Sequence, residues 1–434
     1  MTQKIAFITA AALAMLTACT EVDSDHSART EPVVASLAKP ESAIEPIPAD
    51  LDPTAQPGTW YRLAVTAGKL EPVPFFAFIP DQGAYAAVRN GDQILVAKLT
   101  RKSHGVELRF PSPGTTVTAT IAADGTAVTG TWTTVVLEKT ITLALSGSRV
   151  EAPGPSTRFA LDETAADKNP ADVSGTWRLD MGELGEAKLS VKQPSPTDVI
   201  ASVIFPSGNW VHLVGGVRGD TLRLSAFDST AFYYLRATVK GGKLTGQWNA
   251  GPDLSTHDAF VGVHAGDDFQ VKRLIGAVDD HLRIPELAQT RYEGKPVIVE
   301  MSGTWCANCT YATEALIDLY KKHHKEGLEV ITLLYEFTDD EAYNAKQAKK
   351  FAAGYGIPWQ VIPVTGGAEK ASEIVPPGLT GLDTSGFPVA IFVNPDASIA
   401  GIHAGFPSPE MSAYGSQVKA YEKLASAILN HGAS

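Results

Sequence analysis

An internal repeat is the feature that most constrains the fold of this chain. The segment PGTWYRL at 57–63 returns as SGTWRLD at 174–180, and TAVTGTW at 126–132 returns as GKLTGQW at 242–248. The two tryptophans of each copy are therefore almost equally far apart along the chain. Because self-similarity at one spacing is the signature of a duplicated structural unit, the sequence predicts two related modules.

Both copies consist of short alternating runs that Gly, Asp and Pro interrupt. In the first copy ILVAKLT, VELRF, TVTATIA and ITLALSG have the apolar–polar alternation of half-buried strands. Each copy also has an inner Gly-Asp turn, which begins at Gly91 in the first and at Gly219 in the second. We therefore expect two all-β modules, sandwiches or barrels, at 57–165 and 172–265. Their tryptophans are expected to pack in cores rather than to form a ligand cleft.

Residues 1–19 have the pattern of a secretory signal. A single lysine precedes an apolar stretch from Ile5 to Leu16, which is too short to be a permanent transmembrane helix. The stretch runs into Leu-Thr-Ala-Cys, which resembles a bacterial lipobox. That resemblance implies cleavage before Cys19 and lipidation of this cysteine, and Thr20 after it favours the outer membrane. A plain signal peptide that happens to contain a cysteine is the alternative.

Residues 20–56 are rich in Pro, Ala, Ser and acidic residues and lack a sustained apolar period. Such a segment cannot bury enough surface to offset its ordering entropy, so we expect a disordered tether. The formal charge of −12 argues against a nucleic-acid partner. The sequence thus predicts a lipid-anchored protein of the bacterial cell envelope that faces the periplasm.

From about residue 267 the pattern changes to alternating helices and strands. KPVIVEMSG and LEVITLLYEF are near-continuous apolar runs, as expected of buried parallel strands. YATEALIDLYKKHHKEG and DDEAYNAKQAKKFAAGYG have the periodicity of amphipathic helices. FPVAIFVNPDASIAGIH predicts a hairpin, and SQVKAYEKLASAILNHG predicts a terminal helix. A C-terminal α/β domain at 267–434 follows from this pattern.

Two of the three cysteines, Cys306 and Cys309, lie where the first of these strands turns into a helix. A cysteine at a helix N-terminus faces unpaired N–H groups and the positive end of the dipole, which favour the thiolate. Thiols in Cys-x-x-Cys sites have pKa values of roughly 3.5 to 7.5. We expect a reactive dithiol with Cys306 as the exposed attacking thiol and Cys309 as the resolving thiol. A structural zinc, which needs about four ligands, and an inert disulfide, which would add little stability across so short a loop, are the alternatives.

The sequence around the dithiol resembles a known family. KPVIVEMSGTWCANC, the helix after it, and GFPVAIFVNPDASIAGIHAGF look like the TlpA-like group of thioredoxin-fold thiol:disulfide oxidoreductases over about residues 270–430. The resemblance implies a thioredoxin-like fold and a redox-active Cys306–Cys309 disulfide, without a metal or another cofactor. It also implies protein thiols or disulfides as partners, together with a redox donor or acceptor protein. The β-modules resemble those that precede this domain in some bacterial TlpA-like lipoproteins.

The resemblance carries over to further residues one by one. Trp305 matches the tryptophan that shields the sulfurs in the family. Pro388 matches the cis-proline that faces the dithiol and would expose the Phe387 backbone for strand-like pairing with a substrate polypeptide. Glu300 matches the buried acid, and strand alternation directs it beneath the helix toward Cys309. Burial would raise its pKa, so that it can take the proton of the resolving thiol. Simple packing, a trans-proline and a carboxylate reaching solvent are the respective alternatives.

The chain also departs from the family. TlpA-like reductases often have a glutamate three residues after the second cysteine, where this chain has Ala312, so proton handling would depend on Glu300 alone. Thr310 replaces the basic residue that many thioredoxins have after the pair. His403 follows the predicted hairpin, and we expect it to be structural.

The predicted function is an envelope thiol:disulfide oxidoreductase. Reduction of protein disulfides is the expected direction, although the Ala-Asn dipeptide between the cysteines does not reveal a reduction potential. The alternative is an envelope binding protein whose β-modules bind a partner or glycan, with the thioredoxin-like domain as a non-catalytic scaffold.

Overall fold

The computed structural model describes residues 51–91, 93–110, 114–136, 139–159, 169–206, 210–271, 287, 289, 291–336, 338–364, 387–407 and 413–431. The predicted signal segment with Cys19, and the predicted tether up to residue 50, lie outside these residues. The tether prediction is wrong at its C-terminal end. There Asp52 caps a 3-10 turn, Pro53–Ala55, by accepting a hydrogen bond from Thr54 N, and Pro53 is buried. The folded part of the chain thus begins before the repeat.

The first module is a closed antiparallel barrel. Among the described residues it has eight strands, each paired with the next, and the last strand pairs with the first. Alternate residues of the first strand, Tyr61, Leu63 and Val65, face the core, as the sequence alternation predicts. The strands are β1 (Gly58–Thr66), β2 (Val73–Pro80), β3 (Tyr85–Asn90), β4 (Gln93–Lys102), β5 (Gly105–Arg109), β6 (Thr116–Ile121), β7 (Ala127–Val136) and β8 (Lys139–Val150).

The second module is a closed antiparallel barrel of the same kind. Its described residues also form eight strands, which close through pairing of the last with the first. The strands are β9 (Gly175–Asp180), β10 (Glu186–Lys192), β11 (Asp198–Ile204), β12 (Trp210–Arg218), β13 (Thr221–Phe227), β14 (Phe232–Lys240), β15 (Lys243–Gly251) and β16 (Thr256–Ala265).

The sequence repeat corresponds to a structural repeat. Trp60 and Trp177 lie in the first strand of their barrels, and Trp132 and Trp248 lie in the seventh. The inner Gly-Asp turns do not correspond, since they join the third strand to the fourth in one barrel and the fourth to the fifth in the other. The structure therefore confirms two related β-modules and shows that they are barrels, not sandwiches.

The α/β region has a mixed sheet, and its described strands are ordered β19-β18-β17-β20-β21. The central strand, β17, is parallel to β18 and antiparallel to β20. The strands are β17 (Val297–Ser302), β18 (Glu329–Tyr335), β19 (Gln360–Val364), β20 (Val389–Val393) and β21 (Ile399–Ala404), and the helices are α1 (Ala307–His323), α2 (Glu341–Tyr355) and α3 (Tyr414–Leu429). Two all-β modules followed by an α/β region are therefore confirmed. Among the described residues, no helix has both the length and the apolar character needed to cross a membrane.

The second barrel contributes to the core of the first. Phe227 and Phe232, at the tip of the β13–β14 hairpin, are fully buried among residues of the first barrel. The ring of Phe227 lies 5.1 Å from that of Phe75 and 5.2 Å from that of Phe110, and Phe232 lies 5.0 Å from Trp132. The two barrels therefore share one hydrophobic core at this point.

A buried arginine reinforces the junction between the barrels. Arg158, in the segment after β8, donates to Ser225 Oγ at 2.8 Å, to Asn90 Oδ1 at 2.7 Å and to the Arg89 carbonyl at 3.1 Å. Its side chain is fully buried, and burial lowers its pKa to about 9. Since this value is still well above neutrality, the group remains a cation at pH 7.

The polar junction continues to the α/β region. The amide of Asn90 donates to the Phe227 carbonyl at 2.6 Å and to Gln93 Oε1 at 3.1 Å. The amide of Gln93 in turn donates to the hydroxyl of Tyr311, on α1, at 2.6 Å. The barrels and the α/β region belong to a single compact unit, Ala43–Ser434, and this chain of bonds joins all three.

Candidate redox site at the start of helix α1

The two cysteines lie at the turn from β17 into α1. Cys306 has extended backbone angles and is the N-cap of the helix, and its Sγ accepts the N–H of Cys309 at 3.2 Å. The sulfur therefore takes the place of the side-chain oxygen that usually caps a helix. When the pair is reduced, this N–H and the positive end of the helix dipole stabilise a thiolate at Cys306.

Cys306 and Cys309 are joined in a disulfide, with their Cα atoms 5.3 Å apart. Cys306 is 6% exposed and Cys309 is fully buried. Cys306 is therefore more exposed than Cys309, as predicted. The expectation of an exposed Cys306 is nevertheless wrong for the disulfide form. The reason is that Cys306 belongs to a buried apolar cluster with Phe387, and Trp305 packs against that cluster.

Three aromatic side chains pack together beside the disulfide. The ring of Trp305 lies 5.3 Å from the ring of Phe387, edge to face, and the ring of Tyr335 lies 5.5 Å from Phe387, also edge to face. The indole N–H of Trp305 donates to the carbonyl of Tyr335 at 2.9 Å. Trp305 thus connects the loop before the cysteines to the end of β18.

The Phe387–Pro388 peptide bond is cis. It lies directly before β20, and the carbonyl of Pro388 accepts the N–H of Gly405 at 2.7 Å. Phe387 is buried in the same cluster as both cysteines. Of the residues that the family resemblance assigns to substrate binding, Phe387 therefore lies in the cluster that contains the dithiol, and Trp305 packs against that cluster.

Glu300 lies beneath α1, as strand alternation predicts. It is fully buried, and its two carboxylate oxygens accept hydrogen bonds from the hydroxyls of Thr313 and Thr332, both at 2.6 Å. Burial raises the pKa of Glu300 to about 7, and the two hydroxyl bonds act in the opposite direction. A carboxyl with this pKa can gain or lose a proton near neutral pH.

Thr313 connects Glu300 to the backbone of Cys309. Its hydroxyl lies 2.6 Å from the Glu300 carboxylate and 2.9 Å from the Cys309 carbonyl, yet it has one proton to donate. If Glu300 is ionised, Thr313 can donate to the carboxylate. If Glu300 is protonated, the acid can donate to Thr313, which then donates to the Cys309 carbonyl. The direction of this bond therefore depends on the protonation of Glu300.

A second buried carboxyl lies near the site, and the sequence analysis missed it. Glu336 is 4% exposed and accepts two hydrogen bonds from Thr304, one from the backbone N–H at 3.1 Å and one from the hydroxyl at 2.9 Å. Burial raises the pKa of Glu336 to about 7. One signal in the sequence could have revealed it, because an acid at the end of a strand parallel to β17 must lie near the loop that follows β17.

Other candidate residues are not part of this site. Ala312 is fully buried in an apolar cluster, and Glu314 faces solvent. His403 lies opposite Ala390, which also pairs with Glu300, so one strand, β20, separates the histidine from the acid. Among the described residues, no cluster of three or more His, Cys, Asp or Glu side chains is arranged to hold a metal ion.

Comparison with solved structures finds partial likenesses. A thioredoxin-family thiol:disulfide interchange protein from Chlorobium tepidum is 18% identical, with 32% of this chain and 81% of that one covered and a TM-score of 0.22. A secreted Mycobacterium tuberculosis disulfide oxidoreductase, homologous to E. coli DsbE, is 13% identical, with 31% and 83% covered and a TM-score of 0.22. A thiol-disulfide oxidoreductase from Bacteroides fragilis is 14% identical, with 31% and 87% covered and a TM-score of 0.21.

No protein-family model and no curated protein matches the chain. The likenesses to solved structures cover about a third of the chain at low identity. The chemistry of the site therefore has to carry any conclusion about function.

Proposed function

We propose that this protein is a thiol:disulfide oxidoreductase that reduces disulfides of other proteins. The observation that supports this most directly is the position of the dithiol. Cys306 is the N-cap of α1, its Sγ accepts a backbone N–H, and its disulfide partner Cys309 is fully buried behind it. This arrangement favours one reactive thiolate with a protected second thiol, which is what disulfide exchange requires.

The proposed reaction begins from the reduced dithiol. The Cys306 thiolate attacks one sulfur of the substrate disulfide, which forms a mixed disulfide and releases one substrate thiolate. Cys309, as a thiolate, then attacks the Cys306 sulfur and releases the second substrate thiolate, and both released groups take up protons. Two electrons pass from the dithiol to the substrate, and the Cys306–Cys309 disulfide forms. A reducing dithiol protein must then donate two electrons to restore the starting state, and no other cofactor takes part.

Glu300 is the proposed acceptor of the Cys309 proton. A base is needed because a buried thiol resists ionisation, and burial brings the pKa of Glu300 to about 7. Thr313 supports this assignment, since its hydroxyl contacts both the acid and the Cys309 carbonyl.

Trp305, Phe387 and Pro388 form the proposed substrate-binding surface. Trp305 and Phe387 are in edge-to-face contact, and Phe387 shares an apolar cluster with the two cysteines. We assign the Phe387 backbone, before the cis peptide bond, to strand-like pairing with a substrate polypeptide. The proposed location is the bacterial cell envelope, where lipid at Cys19 would anchor the protein to the outer membrane, facing the periplasm.

The alternative, in which the β-modules bind a partner or glycan, has no specific arrangement of described residues in its favour. Phe227 and Phe232 occupy the core of the first barrel, and three of the four repeat tryptophans are buried. We therefore retain the oxidoreductase as the single proposal.

Two variants of the full chain test it. Wild-type protein should reduce the disulfides of insulin when a dithiol reductant is supplied, and Cys306→Ser should be inactive. Cys309→Ala should accumulate mixed disulfides with envelope proteins, visible on non-reducing gels. If wild type and Cys306→Ser reduce insulin equally fast, and faster than the reductant alone, the assignment of Cys306 as the attacking thiol is contradicted. An inactive wild type would contradict the proposed function itself.

A further inference from the structure

Glu336 has no role in the proton transfer described above, yet it lies next to the active-site loop. The carboxylate follows β18 directly and is almost completely buried. Both of its oxygens accept hydrogen bonds from Thr304, two residues before Cys306. A buried carboxylate is costly unless its hydrogen bonds are made, and here one residue of the loop supplies two of them.

The parallel pairing of β17 and β18 explains why these residues meet. Ser302 lies opposite Leu334 at the end of the ladder. Two residues further along each chain, Thr304 and Glu336 are therefore neighbours across the gap where the strands separate. The structure makes the acid a link between the end of one strand and the loop that leaves the other.

A second bond attaches the next residue of the loop in the same way. The indole N–H of Trp305 donates to the carbonyl of Tyr335 at 2.9 Å. Gly303 permits this close packing, because a Cβ there would lie 2.5 Å from the Trp305 ring nitrogen and 2.9 Å from the Tyr335 carbonyl oxygen. Two consecutive loop residues are thus attached to the last residue of β18 and to the residue that follows it.

This attachment bears directly on the reactive sulfur. Cys306 is the next residue, and its N–H donates to the carbonyl of Gly303 at 3.1 Å. Any displacement of the loop therefore moves the N-cap of α1 and the Trp305 ring that packs against the cysteine cluster. The accessibility of Cys306 and its contact with the helix N-terminus both depend on where this loop is held.

We propose that Glu336 is a positioning residue for the dithiol: by accepting both bonds from Thr304 it holds the loop against β18 and keeps Cys306 shielded at the helix N-terminus. This inference rests on the proposed oxidoreductase function. The bonds, rather than the charge, perform this role. A neutral side chain that still makes the hydrogen bonds should therefore keep the loop in place, whereas an apolar side chain should release it.

The test measures alkylation of the reduced full chain by iodoacetamide. Fragment-ion mass spectrometry of the peptide that contains both Cys306 and Cys309 assigns alkylation to one sulfur or the other, and Cys19 lies in a different peptide. Rates are measured from about pH 5 to 9, where Cys-x-x-Cys thiols titrate. The midpoint of the profile gives the thiolate pKa, and the plateau at high pH gives the accessibility of the thiolate.

Four variants are compared with wild type, two that keep the hydrogen bonds and two that remove them. Glu336→Gln can still accept the Thr304 N–H through its carbonyl and can donate its amide to the Thr304 hydroxyl, so its plateau should equal that of wild type. Glu336→Leu has similar size but no acceptor, and loss of both bonds should raise the plateau about tenfold. Thr304→Val should raise it about threefold through loss of the hydroxyl bond alone, and Thr304→Ser should not change it.

The inference is overturned if the Leu and Val variants have the wild-type plateau, or if Glu336→Gln behaves as Glu336→Leu, which would make the charge responsible. Circular dichroism checks that each variant is folded, and Thr304→Val provides the test if Glu336→Leu does not fold. Insulin reduction by wild type is scored separately. A wild type that fails to reduce insulin but has the expected variant plateaus refutes only the function, and the opposite result refutes only the role of Glu336.

Discussion

The barrel junction and the α/β region both bury ionisable side chains, but they do so with different consequences. In the junction, Arg158 donates to oxygen atoms of neutral groups, and burial lowers its pKa only to about 9. In the α/β region, Glu300 and Glu336 accept bonds from threonines, and burial raises their pKa values to about 7. At neutral pH the arginine stays charged, whereas the pKa of each carboxyl lies close to the pH of the solution.

The difference follows from the ordinary pKa of each group. An arginine has an ordinary pKa so far above neutrality that burial does not bring it into the physiological range. The ordinary pKa of a glutamate lies below neutrality and rises on burial, so desolvation brings it close to neutral pH. A buried arginine can therefore hold two barrels together as a permanent cation, whereas a buried glutamate can take up or release a proton.

The largest expected effect concerns the apolar part of the barrel junction. Phe227→Ala should lower the free energy of unfolding by about 4 kcal/mol, because it leaves a cavity among Phe75, Phe110 and Trp132. Urea denaturation followed by tryptophan fluorescence measures this change. Val261→Ala, at an exposed position on the second barrel, is the control. Equal losses in the two variants would show that the hairpin tip contributes no more than the surface.

Arg158→Met should cost about 3 kcal/mol, since it leaves buried acceptors on Ser225 and Asn90 without their cationic donor. The cost should be the same at pH 6 and at pH 8, because Arg158 does not titrate between them. Arg149→Met, on the exposed face of β8, should change little. A cost that varies strongly with pH would remove the contrast between the two regions.

Glu300→Gln should change how the stability of the α/β region depends on pH. The folded pKa, about 7, lies above the ordinary value of 4.5, so the folded state binds this proton more tightly than the unfolded state does. The stabilisation is complete below about pH 4.5 and is lost as the pH rises through about 7, with a total of about 3 kcal/mol. Glutamine does not titrate, so the variant should lack this decline.

Amide hydrogen exchange of a peptide covering β17 follows this change locally. Glu314→Gln, at an exposed position on α1, should retain the wild-type decline between about pH 4.5 and 7. If Glu300→Gln also retains it, the acid does not titrate in this range and cannot be the proposed proton acceptor.

The smallest effect is expected at the second threonine that binds Glu300. Thr332→Val removes one hydroxyl bond to the carboxylate, which should raise the pKa of Glu300 by about one unit. The midpoint of the pH-dependent decline should move upward accordingly. An unchanged midpoint would mean that burial alone determines the proton affinity of Glu300.

Local features of the sequence predicted part of this structure. The repeated tryptophan motifs indicated two β-modules, because each motif recurs with its flanking strand pattern. The position of Cys306 and Cys309 at a strand-to-helix turn gave the start of α1, and alternation along β17 gave the buried position of Glu300. Each of these inferences uses residues that are close in the chain and follow one periodicity.

The remaining features depend on distant contacts. The bond between Thr304 and Glu336 requires the parallel register of β17 and β18, which neither strand specifies alone. Alternation is the same in a barrel and a sandwich, so it could not decide between them. Nothing in the sequence around Phe227 distinguishes a side chain that enters the neighbouring barrel from one that enters its own.

The shared core between the barrels has a consequence for how the chain can be divided. Repeated units in many proteins can be separated because each contacts its neighbour through its surface. Here a cut between residues 159 and 169 would leave phenyl rings in water on one fragment and an unfilled space inside the other. The two halves of the duplication have therefore become mutually dependent, and truncated forms should begin before the first barrel or after the second.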